Sequence, residues 1–189
     1  MSKADWLIVG LGNPGSEYAG TPHNIGFDVA ERLRQRWDFP SPKVKYRGLL
    51  TDGSLREPGS YGTPAIRISI LCPQNYMNES GKAVGPARGE LQVEPARILV
   101  LHDEIDLPFA EVRTRLGGGL AGHNGLKSIK AQLGSADFHR VRIGVGRPAS
   151  TDPELVAAYV LGKYRQPKDE VEALIDAAAQ AAERVIFGS

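Results

Sequence analysis

The sequence has a single cysteine, Cys72, which excludes both an internal disulfide and a cysteine-built zinc site. A reducing compartment fits. Cys72 follows an apolar strand, so it reads as a small buried residue rather than a nucleophile. No apolar run is long enough to span a bilayer, and no basic-then-apolar leader follows Met1. The expectation is a cytoplasmic protein without membrane contact. There is no G-x-S-x-G elbow and no activated-cysteine signature. Internal repeats, low-complexity tracts and clear linkers are absent. An excess of either charge is absent too, since 23 Lys and Arg against 22 Asp and Glu leave a formal net charge of +1.

What is present is an ordinary bulk composition and a set of unusual loops. A hydrophobic content of 41% and a charged content of 24% suit a soluble globular protein. One domain is expected over residues 1–189. A chain of this size buries roughly 70% of its unfolded surface and needs no staple. Residues 6–11 read as a short apolar strand. Ile25, Val29, Leu33 and Trp37 recur every fourth position, with Arg32, Arg34 and Arg36 outside that stripe, which predicts an amphipathic helix over 25–37. Residues 44–51 and 65–71 read as strands joined by a Gly/Pro/Ser-rich hairpin loop. Asn78 is placed to cap a helix that Gly85-Pro86 would kink or break. Further strands are expected at 98–101, at 112–116 and around Val141, Ile143 and Val145. A flexible Gly-rich loop at 117–122 leads into a helix near 126–133. Asp152-Pro153 and Pro167 open the last two helices.

Alternating strands and helices predict an α/β fold: a twisted mixed sheet flanked by helices, with a crevice at the carboxyl ends of the central strands. If the strands ending near Leu11, Leu71 and His102 run parallel, the segments beyond them bring Asn13, His23, Asn78 and Asp103 to one edge. His23 is there a candidate general base, because a neutral imidazole near pH 7 takes a proton from water and later returns it. A lone histidine is more often structural. This one lies in a polar loop, with Asp103 available to hold its other ring nitrogen. Glu104 and Asp106 read as solvated loop carboxylates. With His102 the acids would suit a metal, but no second cluster has matching ligand spacing, so no metal is assigned. Asn13, Asn78 and Asn124 each follow a turn or capping signal. Any one of them alone reads as a turn residue, yet each amide can donate and accept without carrying charge. With no covalent nucleophile in view, direct attack by water is the economical chemistry for a hydrolase.

The near-zero net charge is unevenly spread. Residues 111–147 hold seven basic residues (Arg113, Arg115, Lys127, Lys130, Arg140, Arg142 and Arg147) against Glu111 and Asp137. That excess suits a phosphate-rich partner, although charge alone reads first as solvated faces of a strand and a helix.

Six motifs, in order, resemble the bacterial peptidyl-tRNA hydrolases: GLGNPG-x-x-Y at 10–18, HN-x-G-F at 23–27, P-x-x-YMN-x-SG-x-AV at 73–84, ILV-x-HDE-x-DLP at 98–108, LGGG-x-x-GHNGLKSI at 116–129 and FHR-x-RIG-x-GRP at 138–148. GKY at 162–164 and the closing helix continue the pattern. Each motif is weak alone; the ordered set is specific. The resemblance implies cleavage of the ester joining a peptide to the 3′ end of its tRNA by a cytoplasmic monomer without cofactor or metal. His23 then falls on the catalytic base and Asp103 on its supporting carboxylate. Asn13 falls on the residue that recognises the blocked amide, and Asn78 and Asn124 fall on substrate- and water-positioning residues. Tyr18 and Tyr76 fall on aromatic substrate positions, and Met77 on the crevice wall. Arg113, Arg115 and Arg142 fall on or near the clamp for tRNA phosphate. Pro22 stands where the family commonly has arginine, Arg113 and Arg115 replace frequent lysines, and the chain after Phe187 is short.

Two other functions remain open on the sequence. Gly10, Gly12 and Gly15 match the dinucleotide spacing G-x-G-x-x-G, which would make the chain an NAD-dependent oxidoreductase. That requires a helix opening at the third glycine, where Pro14, Gly20 and Pro22 intrude. It also requires an acid closing a second strand roughly 20 residues on, where Asp38 instead ends a helix. A non-catalytic tRNA-binding module would retain tRNA without turning it over.

Overall fold

A computed structural model of the chain describes residues 3–188. At its centre β1 (Trp6–Gly10) is buried along its whole length. It pairs in parallel with β4 (Ile66–Pro73) on one side and β5 (Ile98–Glu104) on the other, and β5 pairs in parallel with β7 (His139–Gly144). The outer strands reverse direction: β3 (Gly48–Leu55) lies on β4, β2 (Lys43–Lys45) on β3, and β6 (Val112–Leu116) on β7. The order across this seven-stranded mixed sheet is β2-β3-β4-β1-β5-β7-β6. The parallel centre places the ends of β1, β4 and β5 on one edge, as the strand reading required.

Helices cover both faces, which is why the central strands read as unbroken apolar runs. Ile8, Leu99, Leu101, Val141 and Ile143 pack against α1 (Ile25–Arg36) and α5 (Lys168–Phe187). Leu7, Val9 and Val100 pack against α2 (Gly81–Leu91) and α3 (Asn124–Leu133). The stripe read from sequence is the buried side of α1, with Ile25, Val29 and Leu33 fully enclosed. Burying each such side chain stabilises by roughly 1.5–3 kcal/mol, more than helix propensity supplies. α4 (Pro153–Leu161) stands apart from both layers and packs against the 3-10 turn Pro22–Asn24. Its start is capped as expected, Asp152 accepting the Glu154 N–H at 2.9 Å. Among the described residues no helix is long and apolar enough to cross a membrane.

Three local expectations fail. Residues 44–51 are not one strand: Tyr46 and Arg47 have φ of 54° and 56° and turn the chain between β2 and β3. Such a two-residue turn matches the sheet twist, but it usually announces itself with Asn or Gly. Pro86 breaks nothing, since α2 runs through it. The proline forfeits one backbone bond, and burial of Ala83, Val84, Ala87 and Leu91 outweighs that loss. Asn78 caps no helix, because it sits in the 3-10 turn Met77–Glu79 without a side-chain cap bond.

Candidate active site

The three glycines after β1 serve packing and a turn. A Cβ on Gly10 would come within 2.5 Å of the Gly26 carbonyl oxygen, and one on Gly12 within 2.7 Å of the Phe27 ring. Their absence of side chain lets α1 lie flush against the ends of β1 and β5. Gly15 turns the chain at φ +107°. No helix opens there, since the next helical residues are Pro22–Asn24 and then α1. Asp38 follows α1 at φ 54° rather than closing a strand. The dinucleotide alternative therefore lacks its helix and its acid, and is corrected.

The turn Pro22–Asn24 carries His23. Its Nδ1 lies 2.8 Å from Oδ2 of Asp103, which projects near the end of β5 and is 3% exposed at its side chain. The second Asp103 oxygen, Oδ1, lies 2.8 Å from Nε2 of His123. His123 is also the N-cap of α3: its Nδ1 accepts the backbone N–H groups of Gly125 at 3.1 Å and Leu126 at 3.4 Å. A nitrogen that accepts from N–H carries no proton, so His123 bears its hydrogen on Nε2 and donates it to Asp103. One carboxylate thus receives two imidazoles. Burial opposes ionisation of Asp103, yet the charges and hydrogen bonds of His23 and His123 hold its pKa well below the usual carboxylate range. For His23, burial lowers the pKa while the charge and hydrogen bond of Asp103 raise it more, leaving the imidazole above its ordinary value.

Asn13 is fixed from three directions. Asn24, buried beside it, accepts the Asn13 N–H with Oδ1 at 2.8 Å and donates Nδ2 to the Asn13 carbonyl at 2.9 Å. The Asn13 side-chain oxygen accepts the Met77 N–H at 2.7 Å. Asn13 therefore has its Nδ2 donor left for the crevice it borders.

The crevice encloses about 600 Å3. His23, Asp103, Asn13, Asn78, Asn124, Tyr76 and Met77 all border it, so most of the sequence-selected residues converge there. Opposite them α4 presents Val156, Ala157, Val160 and Leu161, an apolar wall that sequence reading did not assign. Tyr18 does not border the crevice. It is half-buried in the preceding turn, where its carbonyl accepts the Thr21 hydroxyl at 2.7 Å. The arginines lie beyond the rim on the β6–β7 edge. Arg113 stands opposite Arg142 and Arg115 opposite Arg140, all on the sheet face toward α3. Arg142 is bound to Glu104 at 3.0 Å and Arg113 lies 3.3 Å from Glu111. Arg140 is buried and donates to the carbonyls of Gly118, Gly119 and Ala136, which ties down the Gly-rich loop.

The acid cluster suggested for a metal does not assemble. Among the described residues the group close enough to share an ion is His23, Asp103 and His123, without His102, Glu104 or Asp106. His102 is buried, donates Nδ1–H to the Asp103 carbonyl at 2.8 Å, and has its pKa pushed down to about 3 by burial and by His123. His123, Asn24 and the α4 wall are the site elements missed from sequence. The one available signal was the repeated His-Asn dipeptide at 23–24 and 123–124.

A carboxylate-held imidazole and three amides bordering one crevice of an α/β fold are a set suited to the acid–base chemistry of a hydrolase. Comparison with known proteins narrows the class. The peptidyl-tRNA hydrolase family model matches residues 7–188, and the chain belongs to that family. It is 46% identical over 177 residues to a peptidyl-tRNA hydrolase of Methylocella silvestris, covering 93% of this chain and 85% of that one. With a peptidyl-tRNA hydrolase of Halalkalibacterium halodurans it shares 43% over 178 residues, covering 94% and 91%. The crystal structure of peptidyl-tRNA hydrolase from Acinetobacter baumannii matches at a TM-score of 0.83 and 38% identity, covering 100% of this chain and 91% of the other.

Proposed function

We propose that this chain hydrolyses the ester between a peptide and the 3′ end of tRNA, with His23 as general base. The observation that carries the proposal is the 2.8 Å contact between His23 Nδ1 and Asp103, set within a family member's crevice. Nδ1–H donates to Asp103, and Nε2 is left to take a proton from water. The resulting hydroxide attacks the ester carbonyl. The bond to the ribose oxygen then breaks, and the proton on Nε2 passes to the departing 3′-oxygen. Asn78 and Asn124 amides would stabilise the oxyanion, at roughly 3 kcal/mol per donor.

Asn13 supports selectivity for blocked substrates. Its free amide hydrogens suit the acyl carbonyl on a peptide's nitrogen and repel a free α-ammonium. Tyr76, half-open to solvent, suits stacking on the terminal base or sugar. Met77 and α4 form the wall beside the peptide. Arg113, Arg115 and Arg142 would meet phosphate without reading sequence, as an enzyme serving many tRNAs needs. We place the protein in the cytoplasm as a monomer of one domain. Cleavage is to be measured on N-acetyl-aminoacyl-tRNA and on unblocked aminoacyl-tRNA. The expected result is strong preference for the blocked ester, with His23→Ala slower by about 10²–10⁴-fold. Equal rates on the two esters, or full activity without His23, would refute the proposal.

A further inference from the structure

A second hollow, of about 590 Å3, opens between α1, the start of α5 and the chain segment just before it. No residue borders both this hollow and the crevice. Three carboxylates border it. Glu31 is held by Arg34 at 2.7 Å and Glu172 by Arg32. Asp28, half-buried, has no hydrogen bond or ion pair among the described residues. Burial pushes its pKa up to about 6, and the charge of Glu172 adds to that push while Arg32 opposes it. The fold therefore disfavours ionised Asp28, which costs stability as pH rises from the usual carboxylate value to about 6. An acid that weakens the fold at neutral pH and is paired by no residue fits a place kept for a ligand. Further groups there are unused. The Tyr164 hydroxyl is buried without a partner, and burial followed by the charge of Asp28 keeps it protonated. Lys163 and Lys168 border the hollow as exposed residues, also without partners among the described residues.

We propose that this hollow binds a small aliphatic zwitterion, a free amino acid or dipeptide, with its ammonium on Asp28 and its carboxylate on Lys163 and Lys168. The site is independent of the hydrolytic reading above. Its volume lies within the roughly 300–1,000 Å3 of small-molecule pockets. An ammonium supplies the charge that Asp28 lacks and removes the cost of ionising it. A metal ion fits less well, because among the described residues the one group close enough to share an ion is His23, Asp103 and His123, in the crevice. A polyamine would bring like charge to Lys163 and Lys168, whereas a carboxylate gives them a partner. Ala19, Val171 and Ile175 offer an apolar wall to a short spacer between the two charges.

Asp28 has one competing role, that of an acid in the first turn of α1 offsetting the helix dipole. That role lowers a carboxyl pKa, opposite to the direction found, and it makes Asp28→Asn destabilising. The test is calorimetric titration of the intact chain with L-valine and alanyl-alanine, and with propylamine, propionate and N-acetyl-L-valine as single-charge probes. Both zwitterions should bind, propylamine more weakly, and the two anions not at all. Affinity for L-valine should fall about tenfold from about pH 8 to about pH 5, as Asp28 takes up a proton. Asp28→Asn should lose at least about tenfold in affinity at the higher pH without lowering the melting temperature there. Lys163→Gln with Lys168→Gln should weaken valine and leave propylamine unchanged. Asn13→Ala, in the crevice, should leave both unchanged. No binding of either zwitterion at about 10 mM would overturn the site, as would equal affinity in Asp28→Asn. Propylamine binding as tightly as valine would overturn the zwitterion assignment. Binding is read without turnover, so failure here leaves the hydrolysis test untouched.

Discussion

The two His-Asn dipeptides that flank the crevice divide their work in opposite ways. In His23-Asn24 the histidine keeps one ring nitrogen free and borders the crevice, while Asn24 spends its amide on the Asn13 backbone. In His123-Asn124 the histidine has both nitrogens committed, one to the α3 cap and one to Asp103, while Asn124 is exposed and borders the crevice. The residue types are identical. Local backbone makes the difference. His123 precedes a helix whose first N–H groups need an acceptor, and its Nδ1 supplies one. Asn24 precedes α1 but faces the strand-end turn, so its amide closes that turn instead and α1 begins without a side-chain cap. Which polar atom is left over after the backbone has been satisfied decides which residue of each pair is available for chemistry.

Asp103→Asn breaks the comparison most severely, because both histidines depend on the same carboxylate. An amide in its place accepts only one N–H and can present a donor to the other ring, so the His23 tautomer is no longer fixed. The expected loss in kcat is about 10³–10⁴-fold, by analogy with the known effect in serine-protease triads. The pH profile adds a sign. Asp103 holds His23 above its ordinary pKa against burial, which alone would lower it. Removing the carboxylate should therefore move the acid limb of kcat to lower pH while the plateau falls. A limb that stays in place would mean that Asp103 does not act through His23.

Much of this site was legible in the sequence, for a definite reason. Asn13, His23 and Asn78 follow strand ends and Asp103 lies in the last stretch of pairing of β5, and the sheet edge that gathers them depends only on the parallel order of apolar runs. Asn24 and His123 were not legible as positioning residues. Their bonds close one loop, Asn13 with Asn24, and join distant segments, Asp103 with both histidines, and no periodicity records such closures. Tyr46-Arg47 hid a turn because neither residue advertises a positive φ, and α2 tolerates Pro86 only through burial that appears once the sheet is built. Tyr18 shows the reverse limit: its motif position suggested the crevice, while its backbone bonds keep it in the turn.

Asn24→Ala and Asn124→Ala sharpen the contrast, since one dipeptide predicts a stability defect and the other a rate defect. Removing the Asn24 amide leaves the Asn13 N–H and carbonyl unpaired in a buried site. The cost should be about 2–4 kcal/mol of unfolding free energy, read from denaturant melts. Discrimination against unblocked aminoacyl-tRNA should also fall as Asn13 loosens. Asn124→Ala sits in the open and should shift the melt by less than about 0.5 kcal/mol. Its effect should appear in kcat on N-acetyl-aminoacyl-tRNA, about 10²-fold if it is one oxyanion donor. Exchanged phenotypes would reverse the roles assigned to the two asparagines.

His123→Ala gives the smallest effect and the most specific sign. Losing the cap of α3 should cost about 1 kcal/mol of stability. The catalytic consequence comes through Asp103, whose negative charge is shared between two imidazole N–H groups. With one removed, the carboxylate attracts the protonated form of His23 more strongly, so the acid limb of kcat should move to higher pH. That is opposite to the shift expected for Asp103→Asn, although both variants lose activity. A cap replacement separates structure from chemistry: His123→Asp restores a side-chain acceptor for the α3 N–H groups but places a second anion beside Asp103. It should recover the cap energy and push the His23 limb higher still. If His123→Asp instead returned the limb to its original place, His123 would be a helix cap alone, and the shared-carboxylate account of His23 would fail.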